Sequence, residues 1–181
     1  GWGVEKVFRE GQQSQLLSEL FFDFIEVAKK LKPKIVISEN VKGLIEGNAK
    51  YYVKAIVEEF DKAGYETQIF LLDSSYMGVP QKRERVFFVS IRKDLEFKGD
   101  LSLEFNEKEI PYFEVERTLK NKLEKKLSAI SKKYWDRVKV GESFSKAHPN
   151  GSYFNSKKIN PNKVLNTIAA SEGSKLSHYE K

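Results

Sequence analysis

The sequence predicts an α/β fold: part of a doubly wound sheet over the first half, then a smaller, mainly helical and loop-rich region. Three observations carry this. Helical and strand-like periodicities alternate from Ser14 to Ile91. The strand runs are short and rich in β-branched residues, the kind buried on both faces of a parallel sheet. After Asp94 the strand runs stop, and lysine-rich helical sequence followed by a Gly/Ser/Asn/Pro-rich tract replaces them.

The first element is an amphipathic helix from Ser14 to Leu31. Leu17, Leu20, Phe21, Phe24, Ile25 and Ala28 recur at helical spacing, Ser14 suits the N-cap and Pro33 stops the helix. Lys34 to Ser38 (KIVIS) is a strand running straight into Glu39-Asn40. Asn48 to Ala63 is a second helix with Val53, Ile56, Val57 and Phe60 inward and Gly64 as its C-terminal stop. Thr67 to Leu72 and Arg85 to Ile91 are further strands. Tyr112 to Val140 reads as lysine-rich helix, and Gly141 to Asn162 as loop with Phe144, Tyr153 and Phe154 spaced through it.

At 181 residues with 40% apolar content, the chain can bury one good core or two small ones. It has no apolar run long enough for a membrane helix and no charged-then-apolar leader, so no membrane partner is expected. The first residue is Gly1 rather than methionine, which suggests a fragment or an excised domain. With no cysteine, disulfides and thiolate metal sites are excluded, which fits a cytoplasmic location. Two histidines, His148 and His178, are too few for a metal cluster, so no metal is expected.

The net charge of +6 is uneven. Residues 1–100 carry 16 basic and 16 acidic side chains, whereas residues 101–181 carry 16 against 10. Between Lys120 and Lys163 the count is 12 against 3. A neutral half beside a basic one suits a catalytic or structural body next to a polyanion-binding surface. A solvated, lysine-rich helix face reads equally well from charge alone.

Two segments carry chemistry. SENVKGL places Glu39 and Asn40 at a strand end, where open α/β sheets keep ligand sites, and Gly43 turns the chain sharply. In PQKRER, Pro80 fixes the backbone ahead of Gln81. If that backbone is extended, Gln81, Arg83 and Arg85 share one face while Lys82 and Glu84 point the other way. Arginine offers a planar donor fork that stays protonated, suited to a carbonyl oxygen, phosphate or carboxylate. A structural role is also open: an arginine paired with Glu39 or Glu84.

Together these segments resemble the ENV and QxRxR motifs of the cytosine-5 DNA methyltransferases of the bacterial modification-methylase type. LLSELFFDFIEVAKKLKPK resembles the family's helix between catalytic loop and ENV, so the resemblance covers about residues 14–94. GWGVEKVFREGQQ resembles the tail of the mobile catalytic loop. The resemblance implies a partial Rossmann-like methyltransferase sheet, the C-terminal half of the catalytic domain at 1–94, and a truncated target-recognition region at 95–181. It implies methyl transfer from S-adenosyl-L-methionine to C5 of a cytosine flipped out of a specific DNA sequence, as in a restriction-modification system. Glu39, Arg83 and Arg85 would be catalytic, supported by Asn40, Val41 and Gln81. Leu20 and Phe21 occupy family positions near the cofactor, whose main binding residues would lie outside this chain.

The family's nucleophile is a Pro-Cys cysteine, which this sequence lacks, so the chain alone is expected to be inactive and to need the N-terminal half of the same protein. Double-stranded DNA is the implied partner. Lys132, Lys133, Lys139, Ser143, Lys146, Lys157 and Lys158 are the candidate DNA contacts, with the Phe144–Phe154 loop and Trp135, which reads more readily as a core anchor. The alternative is a non-catalytic DNA-binding subunit of a split methyltransferase.

Overall fold

The structure is a computed structural model that describes residues 15–47, 50–118, 129–152 and 156–167. Ser14, Asn48, Ala49, Tyr153, Phe154 and the middle of the Tyr112–Val140 segment lie outside the described residues, as does the side chain of Leu17. Contacts divide the chain into two compact units. One holds the residues up to Leu72 together with Glu84–Glu104, the other Asp73–Arg83 together with the residues from Phe105 onward.

In the first unit, helix α1 (Gln15–Leu31) leads into strand β1 (Ile35–Val41), helix α2 (Lys50–Lys62), strand β2 (Tyr65–Asp73) and strand β3 (Glu84–Arg92). α1 ends where Lys32 turns to φ 49, one residue before Pro33. α2 ends at Gly64, whose φ of 88 is the left-handed conformation that glycine adopts without a Cβ penalty. Both stops were legible in the sequence.

The sheet order is β1-β3-β2, and β1 pairs with β3 antiparallel, with Ile35 opposite Ile91, Glu39 opposite Phe87 and Val41 opposite Arg85. This corrects the expectation of a parallel strand buried on both faces. Among the described residues β1 lies at the edge of the sheet, and Ile35 and Ile37 are exposed there, whereas Val36 on the opposite face is buried. β1 is also longer than expected, so Glu39 and Asn40 lie inside the strand rather than beyond it.

The core lies between one sheet face and the two helices. Ile25 and Ala28 of α1, Ile56 and Phe60 of α2, Tyr65, and Val36, Val86 and Phe88 form one buried cluster. The Phe21 ring meets Phe60 and Phe88 edge-on at 6.3 and 5.5 Å, arrangements aromatic quadrupoles favour. Buried Tyr65 is satisfied by donating its hydroxyl proton to the Pro33 carbonyl at 2.9 Å, and burial raises its pKa. Leu20 and Phe24, part of the helical apolar stripe, are exposed. Phe24 instead lines an open groove of about 250 Å³ with Val27, Leu31, Pro33, Ile35 and Ile37, between α1 and β1.

In the second unit, helices α3 (Tyr112–Thr118) and α4 (Ala129–Trp135) are short. Its core is Tyr134, Val138 and Phe144, with Trp135 and Ala147 packed against them. Two isolated bridges hold its loops: Gln81 with Leu165, and Ser143 with Lys157. Among the described residues, no helix is long and apolar enough to cross a membrane.

Candidate functional site

Glu39 and Arg85 come from neighbouring strands. The register puts Arg85 opposite Val41, and Glu39 lies two residues earlier on the same strand, hence on the same sheet face. From this diagonal position Arg85 Nε donates to Glu39 Oε1 at 2.7 Å. Arg85 Nη1 also donates to the Glu84 carbonyl at 2.8 Å, which fixes the plane of the guanidinium. The arginine side chain is 20% exposed and the glutamate 47%, so the pair stands at the surface with its carboxylate reaching into solvent.

Nearby polar groups make contacts of their own. Lys42 Nζ reaches Glu84 Oε2 at 3.2 Å and Glu46 Oε1 at 3.5 Å. The hydrogen bond and charge of Glu84 raise the Lys42 pKa, and Glu84, next to Arg85 in β3, lies on the opposite sheet face. Asn40 Oδ1 accepts from the Val41 N–H at 2.8 Å, a local bond at the strand end, and the chain then turns through Lys42–Ile45. Of the two structural pairings left open, the structure contains the one with Glu39; the Glu84 carboxylate pairs with Lys42 instead, and Arg85 meets Glu84 only at its backbone carbonyl.

Gln81 and Arg83 belong to the second unit, and β3 begins only at Glu84. The extended alternation expected over Gln81, Arg83 and Arg85 thus does not run through a single strand. Backbone bonds explain the difference: Gln81 bridges to Leu165, and the Lys82 N–H donates to the Leu165 carbonyl at 2.7 Å. The neck of this loop is organised by Asp73, a residue the sequence reading passed over. Its Oδ1 accepts from the Ser75 N–H at 3.1 Å, the Ser75 hydroxyl at 3.0 Å and the Arg83 N–H at 3.2 Å. The signal was present: Asp followed by Ser-Ser at a strand end is the composition of an Asx turn.

The lysines expected to touch DNA have distinct surroundings. Lys132, Lys133 and Lys139 are exposed. Lys146 pairs with Glu142 at 3.4 Å. Lys158 Nζ lies 4.3 Å from the Trp135 ring centroid and donates to the Trp135 carbonyl at 3.1 Å, and Lys157 sits in the bridge to Ser143. Ser143 Oγ accepts from the Ser145 N–H and caps a short turn. Phe144 is 2% exposed, which removes its ring from the list of candidate base contacts. Trp135 packs against the same small core, in keeping with a core anchor.

The α/β frame, with a carboxylate and a guanidinium paired on one sheet face, is consistent with a Rossmann-like methyltransferase domain. The model of the C-5 cytosine-specific DNA methylase family matches residues 3–179, and the chain belongs to that family. Type II methyltransferase M.FnuDI of Fusobacterium nucleatum is 41% identical over 95 residues, 52% of this chain and 28% of that protein. Orphan methyltransferase M.SPRI of Bacillus phage SPR is 40% identical over 91 residues, 50% of this chain and 21% of that protein. The chain thus spans under a third of the length of these relatives. A prophage-encoded E. coli protein described as a DNA modification methyltransferase superposes with a TM-score of 0.62 at 15% identity, covering 83% of this chain and 57% of that one. A mutant of Spodoptera frugiperda DNMT2 gives 0.50 at 20% identity, covering 72% and 41%. These two show the shared fold.

Methyltransferases of this superfamily use S-adenosyl-L-methionine. Of the residues expected near it, Leu20 is exposed and the Phe21 ring is committed to the core. Two apolar side chains supply no hydrogen-bond partner for the purine, ribose or amino-acid ends of that molecule. An apolar contact is the most that these two residues could offer it.

Proposed function

We propose that this chain is the base-gripping part of a DNA (cytosine-5-)-methyltransferase that modifies a flipped-out cytosine within a specific DNA sequence. The observation that carries this reading is the 2.7 Å pairing of Glu39 with Arg85, in segments resembling the ENV and QxRxR motifs. A cytosine edge presents a ring-nitrogen acceptor, an amino donor and a carbonyl acceptor, and a carboxyl group beside a guanidinium complements all three. Glu39 bonds N3 and the amino group and shares a proton with N3 as the ring is attacked. Arg85 holds the carbonyl oxygen, and Arg83 supports the charge that develops in the transition state. Asn40, Val41 and Gln81 shape the surrounding backbone.

In this reading the methyl group comes from S-adenosyl-L-methionine, and the thiolate nucleophile belongs to sequence beyond this chain, which contains no cysteine. The pairing of Glu39 with Arg85 keeps both groups oriented before the base arrives, so reorganisation on binding is small. The basic second half, with exposed Lys132, Lys133 and Lys139, follows the phosphate backbone of double-stranded DNA.

Radiolabelled methyl transfer tests the reading. The complete methyltransferase incorporates label at cytosine C5, and the 181-residue chain alone does not. Robust incorporation by the chain alone would overturn the assignment of the nucleophile elsewhere.

A further inference from the structure

We propose that Asp73 is a positioning residue for Arg83: its carboxylate sets the backbone of the Gln81–Arg83 segment and so the point from which the arginine side chain departs. The inference rests on the role given to Arg83 above, and its experiment separates the two. The loop from Ser74 to Arg83 is closed at its neck by bonds that converge on two residues. The Ser74 N–H donates to the Arg83 carbonyl at 3.2 Å and the Ser74 hydroxyl donates to the Gln81 carbonyl at 2.6 Å. Asp73 Oδ1 completes the closure by taking the Arg83 N–H and both donors of Ser75.

Three donors on one oxygen favour a full negative charge there, because charge-assisted bonds are about twice as strong as neutral ones. Asp73 is well placed to keep that charge. Its side chain is 13% exposed, and its second oxygen faces the ammonium of Lys82 at 3.7 Å. Desolvation works against the carboxylate, but the Ser75 and Arg83 hydrogen bonds and Lys82 outweigh it and leave the pKa below the usual value.

The far side of the segment is held as well. The Lys82 N–H donates to the Leu165 carbonyl and Thr167 Oγ1 donates to the Lys82 carbonyl at 2.8 Å. Backbone polar groups on both sides of Arg83 therefore have partners. The Arg83 side chain, itself exposed, takes no part in closing the loop. A residue that holds an arginine's backbone while leaving its guanidinium out of the clamp fits positioning.

The experiment compares Asp73→Ala and Asp73→Asn by amide hydrogen exchange in this chain, and by steady-state kinetics in the complete methyltransferase. Asp73→Ala should speed exchange of the Ser75 and Arg83 amides by about 10- to 100-fold, the loss of a hydrogen bond to a charged group. Asp73→Asn keeps an oxygen in place and should restore most of the protection, with the acid-range pH dependence of the Arg83 protection factor removed. In kinetics, Asp73→Ala should lower kcat more than it raises KM, and Asp73→Ala/Arg83→Ala should be no slower than Arg83→Ala alone. Unchanged protection of the Arg83 amide overturns the proposal, and so do additive losses in kcat. If the exchange pattern holds while Arg83→Ala leaves kcat intact, the role given to Arg83 fails and the clamp itself stands.

Discussion

Replacing Glu39 by glutamine keeps the oxygen that accepts from Arg85 Nε and removes the negative charge. Two unit charges 4 Å apart interact by about 1 kcal/mol in water and about 4 kcal/mol at the effective dielectric of a protein surface. Glu39 is 47% exposed and Arg85 20%, so solvent screens this pair strongly despite its 2.7 Å contact. Exposed ion pairs contribute about 0.2–1 kcal/mol, and the expected stability loss in Glu39→Gln is about 1 kcal/mol or less. A double-mutant cycle with Arg85→Gln, read by urea unfolding followed by circular dichroism, should return a coupling of that size, smaller still at high salt. In the complete methyltransferase the same substitution should lower kcat by about 10²- to 10⁴-fold, the usual worth of a general acid, with DNA affinity changing far less. A coupling above about 3 kcal/mol would mark the pair as a structural clamp. Equal losses in turnover and DNA binding would likewise refute the catalytic reading.

Phe60→Ala empties a fully buried site between α2 and the sheet and should cost about 3–5 kcal/mol, measured by thermal or urea unfolding. Gly78→Ala forces a side chain at φ 73 and places its Cβ 2.6 Å from Glu107 Oε2. It should destabilise by about 1–2 kcal/mol, and Glu107→Ala should recover only part of that loss, because the backbone strain persists. Asp73 has its folded pKa lowered, so its contribution to stability is present above the unfolded value of about 3.9 and is lost as pH falls through the folded pKa. Acid unfolding of Asp73→Asn should lack that component. DNA affinity should fall steeply as salt rises, with a shallower slope when Lys132, Lys133 and Lys139 are replaced by alanine; a flat wild-type response would return them to a solvated surface.

Element order in the first unit was legible because each helix and strand has a clear period and a clear stop, as Lys32-Pro33 and Gly64 show. Strand direction was not. A β-branched run such as KIVIS reads alike in a parallel centre and at an antiparallel edge, and only the pairing of Ile35 with Ile91 decides between them. Glu39 and Arg85 were singled out because charged residues beside apolar strands are conspicuous. Their mutual contact was only one of several pairings open, since it depends on register. Asp73 escaped notice because its work is done by backbone donors, which leave no mark on side-chain patterning. Phe144 misled in the opposite sense: an aromatic in a polar tract resembles a base-stacking residue, yet here it supplies the middle of a small core.

The register of β1 on β3 has a consequence for how this protein can change over generations. Glu39 faces Phe87 and shares a sheet face with Arg85, whereas Ser38 and Asn40 face the helix-packed side opposite Phe88 and Val86. Losing one residue anywhere in Ile35–Ser38 would bring Asn40 opposite Phe87 and turn the Glu39 carboxylate toward the apolar core. Single-codon insertions and deletions in this stretch should therefore be eliminated even where substitutions at Ile35 or Ile37, both on the exposed edge, are tolerated. Descendants of this sequence should vary here in letters and hold constant in length.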